Sequence, residues 1–223
     1  MQLATNADLV LEIRDRLIAA GMIAEREPED AESTRARLLV AAISLFADRG
    51  FHACTMRDLA GAVGVKAPAI YNHFQSKEQI LAEASREALR RFFTRVIGPM
   101  SSERAGERLH GIVSRWVMFQ ISEREVALAN DALLDTGALR QILDPVDWEP
   151  IHESLRDLIA LIRLLVLEVS DGAVDARVLV HALTAVCDRA GLWFRRDREL
   201  SAEDVAEQTW IACRRMITGN GIV

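Results

Sequence analysis

The chain has 223 residues, 50% of them apolar and 27% charged, which is enough length and apolar material to bury a core in one large or two modest domains. Three cysteines, Cys54, Cys187 and Cys213, are odd in number and far apart, so their spacing argues against a disulfide frame or a zinc site and suits a reducing compartment. The first dozen residues carry Asp8 and Glu12 and no basic start, and the apolar run from Leu158 to Leu167 is broken by Arg163; secretion and membrane spanning are therefore excluded, and a cytoplasmic protein is expected.

Read from the N-terminus, Leu9, Val10, Ile13, Leu17 and Ile18 recur at helical spacing, which predicts an amphipathic helix over residues 7 to 20 ending at Gly21. The acidic stretch from Glu25 to Glu32 reads as a linker, and residues 1–32 as an extension that packs on its own or a partner subunit. A helix over 33–49 follows, with Leu38, Leu39, Ala42, Leu45 and Phe46 inward and Gly50 as its stop. Thr55 with Asp58 three residues on is a helix-start signature, Leu59, Ala60 and Val63 make an inner face, and Gly64 supplies the sharp turn between crossing helices. Pro68 suits the first turn of a second helix, expected over Lys66 to His73 around Ile70 and Phe74. This is the pattern of a helix-turn-helix.

Ser76 and Gln79 form the next capping signature, opening a long helix through Leu81, Leu89 and Phe92 to Val96, halted at Gly98 and Pro99. The pattern then stays helical. A helix carries Leu109, Ile112, Trp116 and Phe119; another runs from Val126 to Leu134; Asp144 and Pro145 mark a turn; and Trp148 to Val169 is apolar on enough sides to be central. Two last helices, over 174–195 and 201–218, combine apolar faces with small residues and predict a dimerising four-helix bundle. The fold class is all-α: a three-helix helix-turn-helix head over 33–80, of DNA-binding type, and a helical, dimerising domain over 81–223, to which the family resemblance given below assigns regulation.

Charge agrees with that division. Residues 33–80 carry a net +3 and the remainder −9, and both lysines of the chain, Lys66 and Lys77, lie in the positive segment with the single tyrosine, Tyr71. A small positive module on an acidic body meets phosphate with one face and is repelled elsewhere.

The segment TRARLLVAAISLFADRGF followed by TMRDLAGAVGVKAPAIYNHFQSKEQIL resembles the N-terminal DNA-binding domain of TetR-type transcriptional repressors over roughly fifty residues from Thr34. It keeps the order F-A-x-x-G-F, a threonine-led helix, G-V, then Y-x-H-F-x-S-K. Lys66, Ala67 and Pro68 stand where many members have Ser-Lys-Gly, so contacts at the front of the recognition helix do not transfer one for one. The resemblance implies that Thr55, Tyr71, His73 and Lys77 hold phosphates and that Arg57 reaches phosphate or a base edge. Arg35, at the basic start of its helix, also suits phosphate. By their own chemistry Asn72 and Lys66 are the candidates for base contact, since an amide pairs bidentately with adenine and an ammonium donates to guanine, while Ala67 and Ala69 offer apolar contact. Thr55 is a helix cap whatever else it does; a cap role for His73 and partial burial for Tyr71 stay open as alternatives.

The resemblance further implies a homodimer on a palindromic double-stranded operator, without cofactor or metal, released by a small-molecule effector. Trp116, Phe119, Trp148 and His152 lie on the helices that wall the ligand pocket in that family, with core packing the alternative for each. The tail AGLWFRRDRELSAEDVAEQTW resembles regulators of fatty-acid and sterol breakdown, whose inducers are CoA thioesters; Arg195, Arg196 and Arg198 then meet an anionic group or form a solvated helix end. No nucleophile, metal-ligand or phosphate-loop spacing suggests an enzyme. The rival expectation is a small-molecule-binding or interaction protein whose DNA-binding head has lapsed.

Overall fold

A computed structural model describes residues 5–24, 33–100, 104–123, 127, 136–194 and 200–219. Among them are ten helices and no strand: α1 (Asn6–Ala19), α2 (Thr34–Arg49), α3 (Met56–Ala62), α4 (Ala67–Ile70), α5 (Lys77–Val96), α6 (Ala105–Ser122), α7 (Thr136–Ile142), α8 (Pro145–Val169), α9 (Ala176–Trp193) and α10 (Ala202–Thr218). The acidic stretch 25–32, the helix expected over 126–134 (Ala127 apart, which is helical and buried) and the arginines 195, 196 and 198 fall outside the described residues. The chain forms two compact units, one of Met1–Ile23, Phe92–Arg124 and Ser154–Val223, the other of Ala24–Arg91 and Glu125–Glu153.

The second unit holds the head. In α2, Leu38, Ala42, Ile43 and Phe46 are buried, while Leu39 and Leu45, expected inward, are only half-buried; Ile43 completes the stripe instead. α3 packs on α2 and α4 packs on α3. The same unit contains α7 and the start of α8, where Arg86 of α5 grips Asp147 at 2.7 Å. Asp144 and Pro145 do not merely mark a turn. Proline serves as the first helical residue, where its missing amide costs nothing, and the Asp147 and Trp148 amides donate to the Asp144 carbonyl at 2.9 and 3.0 Å.

The first unit is built on α6. α9 and α10 both pack against it and against each other. Trp116 of α6 donates its indole N–H to Asp188 Oδ1 at 2.9 Å and Gln120 donates to the same oxygen at 3.2 Å, so two buried polar groups of α6 are satisfied by one carboxylate of α9. Close approach has a second cause: Gly191 of α9 lies so near the Gln120 carbonyl that a Cβ there would sit 2.3 Å from the oxygen. The N-terminal arm packs into this unit. Val10, Ile13 and Leu17 are buried, Arg14 donates to the Gly98 carbonyl at 3.1 Å, and Arg16 pairs with Asp157 through two bonds of 2.5 and 3.2 Å.

Candidate nucleic-acid interface

The reading face is set by α3, the turn after it and α4. α3 starts where the sequence placed it: the Thr55 amide donates to Asp58 Oδ2 at 2.9 Å, the Asp58 amide donates to Thr55 Oγ1 at 3.2 Å, and the Thr55 hydroxyl donates to the carboxylate at 2.6 Å. These bonds, the hydroxyl's first, hold the Asp58 carboxyl below its usual range. Gly64 then takes φ +74°, left-handed backbone that a side chain would strain, and the Val65 amide returns to the Ala60 carbonyl at 3.0 Å. That reversal lets α4 cross α3.

α4 is shorter than the eight-residue helix expected over Lys66–His73. It is one turn, Ala67–Ile70, followed by a turn over 71–73 in which the His73 and Phe74 amides both return to the Ile70 carbonyl at 2.8 and 2.9 Å. Lys66 makes no capping bond from its side chain, while Pro68, in the first turn, loses no intrahelical bond. The C-cap position falls on Tyr71, not His73. Ile70 and Phe74 are buried to 0% and 1% exposure and pin the segment from beneath; burying such side chains is worth about 1.5–3 kcal/mol each. Anchored at those two points, Tyr71, Asn72 and His73 stand in a row in solvent, Tyr71 at 57% exposure, which removes the partly buried alternative for it. Lys66, Thr55 and Arg57 are exposed beside them; Ala67 and Ala69 are half-buried.

Two cations expected at phosphate have structural duties that sequence reading missed. Lys77 donates to the carbonyls of Phe51 and Cys54 at 2.8 and 2.9 Å and lies 4.2 Å over the Phe51 ring, tying the entry of α5 to the α2–α3 loop. Arg35 pairs with Glu83 of α5 and lies 4.6 Å over the Phe74 ring. Arg37 is likewise occupied, donating to the Val63 carbonyl at 3.0 Å. At the start of α5 only half of the expected box forms: the Gln79 amide donates to Ser76 Oγ at 3.1 Å, but the Gln79 side chain accepts from the Gln75 amide at 2.8 Å.

The four aromatic and histidine residues expected in a ligand pocket fall in two pairs, one per unit. Trp116 and Phe119 sit edge-on to Phe92, with ring centres at 4.9 and 5.5 Å, and are buried. Trp148 covers His152 at 4.7 Å, and His152 Nδ1 is buried with no partner among the described residues, as is the Ser85 hydroxyl of α5. A cleft of about 700 Å³ in the head's unit, lined by Phe46, Phe51, His52, Lys77, Leu81 and Ile142, includes none of the four.

Residues 38–84 match the family model for bacterial regulatory proteins of the tetR family. That segment is therefore similar to the DNA-binding domain of the tetR family. Among its relatives, the transcriptional repressor KstR2 of Mycolicibacterium smegmatis is 43% identical over 68 residues, 30% of this chain and 33% of that protein. The transcriptional activator FasR of the same species is 28% identical over 202 residues, 82% of each chain. The chain thus spans about a third of the first relative and most of the second. In fold it is similar to AibR, solved in complex with isovaleryl coenzyme A and operator DNA, at TM-score 0.68 and 19% identity over 80% of this chain and 96% of that one. The fold is the TetR one, a helix-turn-helix head followed by a helical domain. Among the described residues no helix is long and apolar enough to cross a membrane.

Proposed function

We propose that the chain is a cytoplasmic, dimeric, ligand-responsive transcriptional repressor, not an enzyme, that binds a palindromic operator through α3 and α4. The observation that carries this reading is the exposed row Tyr71, Asn72, His73 on a doubly anchored turn, next to Lys66 and Arg57, in a segment matching the family's DNA-binding model. Thr55, Arg57, Tyr71 and His73 position the backbone, Arg35 and Lys77 being held by protein partners; Lys66 and Asn72 choose bases, with Ala67 and Ala69 against a thymine methyl. The division into an arm (1–32), a reading head (33–80) and a regulatory body (81–223) belongs to the same proposal.

The dimer is carried by α9 and α10, which pack together and leave Val178, Val186, Trp193, Ile211 and Met216 exposed, Trp193 at 53%. Apolar side chains of that size on two adjoining helices are what a two-fold helix bundle covers. Two heads related by that axis read half-sites one helical turn, roughly 34 Å, apart. The effector is a small apolar or acyl-type molecule: the fold neighbour AibR binds isovaleryl coenzyme A, and Trp116, Phe119, Trp148 and His152 supply aromatic surface and one unpartnered ring nitrogen. Binding shifts the population toward a conformation in which head spacing no longer matches the grooves.

The test has two arms. Selection of bound DNA from a random duplex pool should return an inverted repeat; uniform recovery of unrelated sequences would refute site-specific regulation. A thermal-shift screen against fatty acids, sterol acids, their CoA thioesters and aromatic acids should find a stabilising ligand, by about 2.7 kcal/mol at a hundred times its Kd. A second reading, activation, is favoured by the match to FasR along most of its length. Transcription from a promoter carrying the selected site decides the sign.

A further inference from the structure

α5 is a single helix whose first residues belong to the head's unit and whose last, from Phe92, belong to the α6 unit. Its C-terminal turn has carbonyls that no further turn of helix satisfies. Two guanidinium groups reach that end: Arg115 of α6 donates through Nε to the Val96 carbonyl at 2.9 Å, and Arg14 of α1 donates through Nη2 to the Gly98 carbonyl at 3.1 Å. Cations suit this place, because a helix carries negative partial charge at its C-terminus. Burial pushes the Arg115 pKa down and its Nη2 is without a partner, so the Val96 carbonyl is what holds the group.

α1 is fixed to the same unit at several points. A Cβ on Gly98 would meet the Ile23 side chain at 3.4 Å, so the segment leaving α1 packs directly on the turn that ends α5. Val10, Ile13, Leu17, Met22 and Ile23 are buried, and Arg16, on the same helix as Arg14, pairs with Asp157 of α8. Apolar packing alone would keep the arm in place. The arginines add bonds to two defined points, the end of α5 and the Asp157 carboxylate.

We propose that the N-terminal arm is a clamp on α5, with Arg14 and Arg115 as positioning residues that fix the direction in which this helix leaves the α6 unit, and through it the spacing of the two heads in the dimer. The inference rests on the reading of the chain as a dimeric operator-binding regulator. α5 has 20 residues. A helix of that length is about 30 Å long, so a change of about 5° at its held end displaces the other end by roughly 2.5 Å. A displacement of that size is enough to break hydrogen bonds to phosphate or base. Loosening the clamp spreads the heads over more directions, and the apparent affinity falls with the fraction that stays at groove spacing.

The experiment uses the full-length chain with a nitroxide on Gln75→Cys, an exposed position of the head, the native cysteines being buried. Pulsed electron–electron double resonance then reads the head-to-head distance with and without Arg14→Met. The variant should broaden the distance distribution and, without the label, lower affinity for the selected operator by about tenfold, an ordinary size for coupling between sites. Arg14→Lys, which keeps a cationic donor, should restore most of both. An unchanged distribution, or an operator affinity that stays the same or rises, would overturn the proposal even if the melting temperature falls, because the arm would then only pack. The lack of any head-to-head distance would overturn it too, since the clamp acts through a dimer. Arg16→Gln, at an exposed position, carries the same expectation if Arg14→Met folds poorly. Failure of the parent to select an inverted repeat would overturn the regulatory reading, whereas the distance distribution judges the clamp without DNA.

Discussion

Replacing Gly191 by alanine tests the closest helix contact in the α6 unit. In an exposed helix interior this change would stabilise, because alanine exceeds glycine by about 1 kcal/mol in helix propensity. Here the new Cβ would meet Gln120 O at 2.3 Å and Gln120 C at 3.1 Å, both backbone atoms that no rotamer change can clear. Restoring ordinary contact requires α9 and α6 to part by about 1 Å, and they are held by the Asp188 bonds to Trp116 and Gln120, which such a movement lengthens. Overpacking of this kind costs about 1–3 kcal/mol, with the weakened hydrogen bonds adding about 1 kcal/mol, so the net after the propensity gain is a loss of about 1–3 kcal/mol. Urea unfolding followed by far-UV circular dichroism measures it. Gly106→Ala in α6 is the control, since nothing lies within 4 Å of its added Cβ, and it should be neutral or slightly stabilising. A Gly191→Ala protein as stable as the parent would refute the close approach of α9 to α6.

Three further outcomes separate fold from function. Lys77→Met should lower stability by about 2 kcal/mol, because it leaves the Phe51 and Cys54 carbonyls without their ammonium donor; an unchanged urea midpoint would show that the staple is idle. Asn72→Ala should leave stability within about 0.5 kcal/mol, its side chain being exposed, yet reduce discrimination at one base position by about 1–3 kcal/mol in competition binding. The Asp175 carboxyl, which caps α9, is held down to about 2 by the Arg177 side chain and then its amide. Because the folded pKa lies below the unfolded one, this group's contribution is present above about pH 4 and lost as pH falls toward 2. The stability difference between the parent and Asp175→Asn should therefore be constant above about pH 5 and change between pH 4 and 2; a difference flat through that window would refute the assignment.

The head was legible because its signals are local. Thr55 with Asp58, Gly64 and the buried pair Ile70 and Phe74 are all read within a few residues of one another, and each appears in the structure in the stated role. The length of α4 was not legible, since it depends on where the chain must turn to deliver Phe74 beneath α2 and enter α5, which periodicity does not report. The roles of Arg35 and Lys77 were hidden for a similar reason. A cation next to a helix-turn-helix looks the same in sequence whether it faces phosphate or a distant protein partner, the Phe51 and Cys54 carbonyls for Lys77 and the Glu83 carboxylate for Arg35. The Asp188 bridge and the Gly191 contact join α9 to residues about 70 positions earlier, and only packing brings such partners together.

Those occupied cations change what salt should do to operator binding. The charge of residues 33–80 invites the expectation that all six basic groups per head neutralise phosphate. Yet Lys77 is engaged by two carbonyls, Arg35 by Glu83 and the Phe74 ring, and Arg37 by the Val63 carbonyl. Moving any of them to DNA means giving up a bond that holds α2, α3 or α5 in register. Arg49, Arg57 and Lys66 remain, all exposed. In the proposed dimer these bring about six positive charges to the DNA, and at about −0.9 per charge the logarithm of the binding constant should fall with the logarithm of salt at a slope near −5. Full engagement of all the basic groups would give a slope of about −11 by the same relation. Fluorescence anisotropy on the selected operator across a range of potassium chloride concentrations distinguishes the two. A steep slope would mean that Lys77 and Arg35 leave their protein partners on binding, and the head would then be rearranged by DNA rather than preformed for it.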